Sequence, residues 1–269
     1  MSAITVAVAQ YEASRDVAAN TKASTTLIGE ASANSQLVVL PENAMYSDPG
    51  KEAPDVHYAE PLDGGFVTAV KDAAKTHSVH VLVGFTEDNG TDRPFNTLVH
   101  VTPGGELDGV YRKIHLYDAF GYKESDKVTP AEIDSPLVFT IGGVTIGALT
   151  CYDLRFPEIF RWVADRGVDL VALPAAWVAG PAKEFHWETL IRARAIENTV
   201  YFAGCGQTGP SCAGQSMIVD PMGVVVANAG ESAMAIATAT IMTERVAQVR
   251  ATNPSLINRR FTVSPGAPQ

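Results

Sequence analysis

The sequence predicts an α/β fold. Short apolar, β-branched runs such as Ile4–Ala9 and Gln36–Leu40 alternate with helix-period segments such as Asp16–Ala33. Other runs are joined by tight turns, as at Gly142–Gly143. Crossovers mixed with hairpins imply a mixed sheet, or two packed sheets, in one domain over residues 1–269. With 46% apolar and 19% charged residues, a chain of this length can fill a large core.

In the first half, Ile4–Ala9 reads as a buried strand and Asp16–Ala33 as a helix with Leu27 and Ile28 on its apolar stripe. Gln36–Leu40 is a strand stopped by Pro41, which leaves Glu42 just beyond a strand end, where open α/β sheets place ligands. Residues 43–60 form a loop long enough to line a pocket. Gly65–Thr76 is a helix, and His80–Phe85 and Phe95–Val101 are strands joined through the turn at Asp88–Thr91. Asn89-Gly90-Thr91 also matches a glycosylation sequon; the turn reading is preferred. A strand from Leu107 towards Lys113 follows a second turn, and residues 114–131 read as an irregular loop over a site.

The second half repeats the alternation. Leu137–Thr140 and Val144–Leu149 form a hairpin, and Pro157–Arg166 is a helix with proline in its first turn. Asp169–Leu173 is a strand ended by Pro174, Glu184–Asn198 a helix and Tyr201–Cys205 a strand. Ser216–Val219, Val224–Ala227 and Ala235–Ile241 are strands, Thr243–Ala251 a last helix, and an extended tail starts near Asn253.

Net charge is −10, which argues against nucleic acid and anionic membranes as partners but leaves an anionic small-molecule substrate open. The three cysteines do not make a disulfide framework, and no His or Cys pair has zinc spacing. The start, MSAITVAVAQ, lacks a basic segment and a cleavage site, and no run reaches the length of a membrane span. A soluble, cytoplasmic protein without metal or organic cofactor is expected.

Three polar residues at strand ends make a chemical set: Glu42 in LVVLPEN, Lys113 in GVYRKIHL and Cys151 in IGALTCYDLRFPE. A thiol between a strand and a helix N-terminus is favoured as thiolate, the nucleophilic form. A desolvated carboxylate with a raised pKa can take the thiol proton and return it to a leaving amine. An ammonium and the Tyr152 backbone N–H can stabilise a carbonyl oxygen as it becomes tetrahedral. Tyr46, Ala176 and Trp177 follow strand ends and are read as pocket lining, with Phe120 and Tyr122 walling the site from the irregular loop. Trp177 is equally a core residue on this evidence. Arg155 is read as either a substrate-carboxylate ligand or an internal ion pair with Asp153 or Glu158.

LVVLPENAMY, YRKIHLYD, TCYDLRFPE, ALPAAWV, HWETLIRARAIENTVY and GQSMIVDPMG stand in an order and spacing that resemble the carbon–nitrogen hydrolase (nitrilase) superfamily along essentially the whole chain. The resemblance implies a four-layer αββα sandwich, a homodimer or larger homo-oligomer, and Glu42, Lys113 and Cys151 as the catalytic Glu-Lys-Cys triad. It places a second glutamate on Glu124, holding the lysine and the substrate nitrogen. Tyr152-Asp153-Leu154-Arg155 after the cysteine is similar to amidases of small dicarboxylic monoamides, the omega-amidase and deaminated-glutathione amidase groups, rather than to nitrilases or carbamoylases. Gln215 departs from the histidine common in relatives. The implied activity is hydrolysis of a small, carboxylate-bearing linear amide through a thioester. Carbamoylase or nitrilase activity, a Schiff-base role for Lys113 and a non-catalytic binding protein with a relic pocket are the alternatives.

Gly204-Cys205-Gly206-Gln207-Thr208-Gly209 matches a dinucleotide fingerprint, but Pro210, Ser211 and Gly214 follow it where a helix would have to begin. Cys205 and Cys212 are read as ordinary core or loop thiols. His186-Trp187-Glu188 has no second histidine four residues on.

Overall fold

The computed structural model describes residues 1–48 and 57–266. In chain order the first half holds β1 (Ala3–Gln10), α1 (Val17–Ser32), β2 (Leu37–Val39), α2 (Gly65–His77), β3 (His80–Glu87), β4 (Phe95–Val101), β5 (Leu107–Arg112), β6 (Asp118–Ala119) and β7 (Tyr122–Lys123). The second holds β8 (Leu137–Ile141), β9 (Val144–Ala148), α3 (Pro157–Ala164), β10 (Leu170–Ala175), α4 (Lys183–Asn198), β11 (Tyr201–Gly206), β12 (Met217–Val219), β13 (Val225–Asn228), β14 (Ala235–Met242) and α5 (Thr243–Thr252).

Two six-stranded sheets form, in the orders β14-β1-β2-β3-β4-β5 and β13-β12-β11-β10-β9-β8. Each has a parallel centre and antiparallel flanks. β1, β2 and β3 run parallel because α1 and α2 carry the chain back between them. α3 and α4 do the same for β9, β10 and β11. β14 closes the first sheet by pairing antiparallel with β1 from Ala3↔Met242 to Gln10↔Ala235.

Strand alternation builds the layers. Ile4, Val6 and Val8 of β1 share one core with Ile146, Leu170 and Phe202 of the second sheet. Ala7 and Ala9 face the other way, against Leu27 and Ile28 of α1. Burying each of those two α1 side chains contributes about 1.5–3 kcal/mol. On the outer face of the second sheet, Phe160 and Val163 of α3 and Trp187 and Ile191 of α4 are buried. Gly147 of β9 lets α3 approach, since a Cβ there would collide with Val163. The result is the helix–sheet–sheet–helix sandwich.

The α1 start is fixed by Asp16, whose side chain accepts the Ala19 N–H at 3.0 Å, a cap worth about 1 kcal/mol. Pro157 occupies the first turn of α3.

Two sequence expectations are corrected. Pro174 does not end its strand: β10 runs through it to Ala175. The Ala172 carbonyl accepts from Leu149 N–H on the β9 side. Pro174, two residues on, directs its missing N–H to that same side, where the β9–β10 ladder has already ended at Ala148. Residues 114–131 are not wholly irregular either; they contain the β6–β7 hairpin and a 3₁₀ turn over Glu124–Asp126. The centre of the expected loop at 43–60 lies outside the described residues. The tail from Asn253 leaves Ile257 and Phe261 exposed. No helix among the described residues is long and apolar enough to cross a membrane.

Candidate active site

Glu42 stands beyond β2. The chain stays against β3 past the strand end, because Leu40 N–H bonds the Leu82 carbonyl at 2.9 Å and Gly84 N–H bonds the Pro41 carbonyl at 3.2 Å. Gly84 permits the approach: a Cβ there would lie 2.7 Å from Glu42 Cα. From the second sheet, Gln207 Nε2 donates to the Glu42 carbonyl at 2.7 Å.

Lys113 follows β5, its N–H bonded to the Asn96 carbonyl at 2.9 Å. Cys151 opens a 3₁₀ turn over Cys151–Arg155 directly after β9 and Thr150, with φ of +44°. That conformation costs a non-glycine residue on the order of 1–3 kcal/mol and needs a rigid surround. The surround is Asp153, fully buried. Its Oδ2 accepts from Thr150 N–H at 2.9 Å and from Tyr111 Oη at 2.7 Å, and its Oδ1 bonds His115 Nδ1 at 2.8 Å.

The side chains converge. Glu42 Oε1 accepts from Lys113 Nζ at 2.8 Å and Asn96 Nδ2 at 2.7 Å. Glu42 Oε2 accepts from Ala176 N–H at 2.6 Å. The Cys151 thiol and the Glu42 carboxylate face the same cavity, close enough for each to feel the other's charge. Glu124 Oε2 accepts from Lys113 Nζ at 2.9 Å and from Tyr117 N–H at 2.6 Å, while Oε1 takes Asn96 Nδ2 at 3.1 Å. Glu42, Lys113, Glu124 and Cys151 are all buried.

Two electrostatic expectations are reversed. The Cys151 thiol is pushed well up, by burial first and by the adjacent Glu42 charge second; Lys113 opposes and loses. Glu42 is held below the usual carboxylate range: burial alone would raise it, but the Lys113 charge and the hydrogen bonds outweigh burial. Lys113 is pushed well up because Glu124 and Glu42 outweigh its own desolvation. The resting set is therefore a neutral thiol beside an ionised carboxylate, an arrangement suited to proton transfer during attack rather than to a preformed thiolate.

These residues sit in a cavity of about 720 Å³. Tyr46 and Tyr58 line it as a stacked pair with ring centroids 3.7 Å apart. Tyr152, Ala176, Trp177, Phe120 and Tyr122 also line it. Trp177 serves both readings, since it is buried, meets Trp187 at 5.5 Å and donates Nε1–H to the Lys183 carbonyl at 2.8 Å. Arg155 does not line the cavity. Its guanidinium stands behind the wall, 5.3 Å from the Phe120 ring and 4.7 Å from Trp177. The carboxylate of Asp153 serves Tyr111 and His115 instead.

Sequence reasoning missed Asn96, Asp153, Tyr117 and Lys183. Asn96 had one signal, an amide near the start of a strand whose other polar residues are Thr97 and His100. Cys205 is buried beside Ser216, while Cys212 reaches the cavity wall; burial pushes both thiols up to about 12. The glycines of the dinucleotide-like stretch have packing roles. A Cβ on Gly204 would meet Ile191 at 2.6 Å and one on Gly206 the Gly214 carbonyl at 2.7 Å, and β12 rather than a helix follows. Among the described residues no group of three or more His, Cys, Asp or Glu gathers as metal ligands.

Comparison with known proteins agrees with this architecture. The family model "Carbon-nitrogen hydrolase" matches residues 5–251. The chain is 38% identical over 257 residues to a deaminated glutathione amidase of Escherichia coli O157:H7, covering 95% of this chain and 97% of that protein. It is 32% identical over 275 residues to omega-amidase NIT2 of Bos taurus, covering 97% and 96%. Its structure resembles the C. elegans NitFhit protein with a TM-score of 0.88 at 29% identity, covering all of this chain and 69% of that one. The chain belongs to the carbon–nitrogen hydrolase family, and is an amidase-type hydrolase of carbon–nitrogen bonds in the nitrilase superfamily.

Proposed function

We propose that the protein hydrolyses a small, carboxylate-bearing linear amide to a carboxylic acid and ammonia through a thioester on Cys151. The observation that carries this reading is the buried Glu42 carboxylate, bonded to the Lys113 ammonium and the Ala176 N–H and facing the same cavity as the Cys151 thiol.

Cys151 Sγ attacks the amide carbonyl carbon as its proton passes to Glu42. The negative charge moves to the carbonyl oxygen, where Lys113 and the Tyr152 N–H stabilise it. The tetrahedral intermediate collapses, the C–N bond breaks, and the nitrogen leaves as ammonia with the proton from Glu42. Glu42, ionised again, takes a proton from water; the hydroxide adds to the thioester, the C–S bond breaks, and Glu42 returns the proton to sulfur. Glu124 and Asn96 keep Lys113 and Glu42 in register by their shared hydrogen bonds. The relatives named for deaminated glutathione and omega-amide hydrolysis support a carboxylate-bearing substrate.

The test is ammonia release over a panel of amides, nitriles and carbamoyl compounds. Turnover of carboxylate-bearing amides above the rest supports the reading; turnover of nitriles or carbamoyl compounds alone overturns it. Homo-oligomeric assembly, to be checked by light scattering, and cytoplasmic residence, which the three free thiols fit, are proposals of the same kind.

A further inference from the structure

Two lysines are buried in this cavity, and only one is neutralised. Lys113 is held between Glu42 and Glu124. Lys183, 6% exposed, reaches the cavity from the first turn of α4. Among the described residues its Nζ makes one hydrogen bond, 2.8 Å to Tyr117 Oη, and no carboxylate lies within ion-pair distance. The rest of its surroundings are ring faces: Phe120 at 4.0 Å, Tyr117 at 4.9 Å and Trp177 at 5.6 Å. Arg155 stands over the same Phe120 and Trp177 rings, with its Nε and Nη2 buried and unbonded.

Ring faces offset part of the cost of burying an ammonium, but a buried charge without a counter-ion is disfavoured. An ammonium has three donors and Lys183 spends one. Because the Tyr117 hydroxyl accepts from Lys183, its own proton is free to donate in turn. The pair thus presents two kinds of donor to one acceptor group, beside an Arg155 guanidinium whose Nε and Nη2 are buried and unbonded. Lys183 and Cys151 line the same cavity, and burial, then the Arg155 charge, holds Lys183 below the usual lysine range.

We propose that Lys183, together with the Tyr117 hydroxyl and with Arg155 behind them, is the receptor for a carboxylate at the far end of the substrate, separated from the scissile carbonyl by a short aliphatic chain. This rests on the amidase reading above. The aromatic walls take the methylenes, and the carboxylate supplies the missing counter-ion. Tyr117 N–H also holds Glu124, so the receptor and the Lys113 site share a residue.

The test compares glutaramate with valeramide, which have the same chain but end in a carboxylate and a methyl group. Wild type should favour glutaramate in kcat/KM, and Lys183→Met should reduce that preference by about 10–100-fold, the worth of a charge-assisted hydrogen bond, chiefly through KM. An unchanged preference overturns the proposal. A second measurement uses the wild type alone: glutarate should protect Cys151 from iodoacetamide at concentrations at least about tenfold lower than 1-pentanol, which has the same number of carbons and no carboxylate. Equal protection overturns the receptor even if Lys183→Met does not fold. If neither amide is hydrolysed while glutarate still protects better than 1-pentanol, the amidase reading fails and the receptor stands.

Discussion

Asp153 accepts a 2.7 Å hydrogen bond from the Tyr111 hydroxyl, which ties the Cys151 turn to β5, the strand that delivers Lys113. The other oxygen holds His115, two residues past Lys113. Cys151 and Lys113 are thus positioned by one buried carboxylate that need not touch substrate. In Asp153→Asn one of these acceptors becomes a donor. The expected outcome is a fall in kcat of about tenfold or more with a small change in KM, and a loss of about 1–3 kcal/mol in stability. Steady-state kinetics with urea unfolding checks both; equal changes in kcat and KM would point to a substrate contact instead.

Glu124 shares Lys113 and Asn96 with Glu42. Glu124→Gln keeps the size but removes one of two carboxylates that hold the ammonium. The lysine is then free to stay on Glu42 rather than meet the carbonyl oxygen. The expected loss is about 10²-fold in kcat, comparable to losing an oxyanion donor. Activity within a few-fold of wild type would make Glu124 a bystander.

A pH effect on stability is expected far from the cavity. His100, 1% exposed, is bonded to His80 at 3.0 Å and to Asp108 at 3.1 Å, and stacks on Phe139. Burial and then the His80 charge push it down to about 4, against the pull of Asp108; burial also lowers His80. The folded state holds His100 neutral while the unfolded chain protonates near pH 6.5. The stability it contributes is complete above about pH 6.5 and is lost as pH falls towards 4, by at most about 1.4 kcal/mol per pH unit. His100→Gln should flatten the urea midpoint against pH in that window. Parallel curves for variant and wild type would remove His100 as the cause.

Much of the site was legible because it lies at strand ends. Pro41, the end of the Val144 run and the helix start at Pro157 mark where Glu42 and Cys151 leave their strands, and the motif order gave Lys113 and Glu124. Lys183 and Asp153 were not legible as site residues. One reads as a helix-terminal lysine, and its lack of a counter-ion exists only once Tyr117, Phe120 and Trp177 close around it. The other acts across separate strands. The pKa directions were misread for the same reason. Whether Lys113 serves the thiol or the carboxylate depends on sub-ångström placement, and it lies on Glu42. Pro174 was misread because which neighbour its missing N–H faces is a property of sheet register.

The most direct measurement is ammonia release by Cys151→Ala on an amide that the wild type hydrolyses, with thermal unfolding as the control for folding. The expected result is a protein that unfolds like wild type and releases no ammonia above background; turnover near the wild-type rate would contradict thioester chemistry at Cys151.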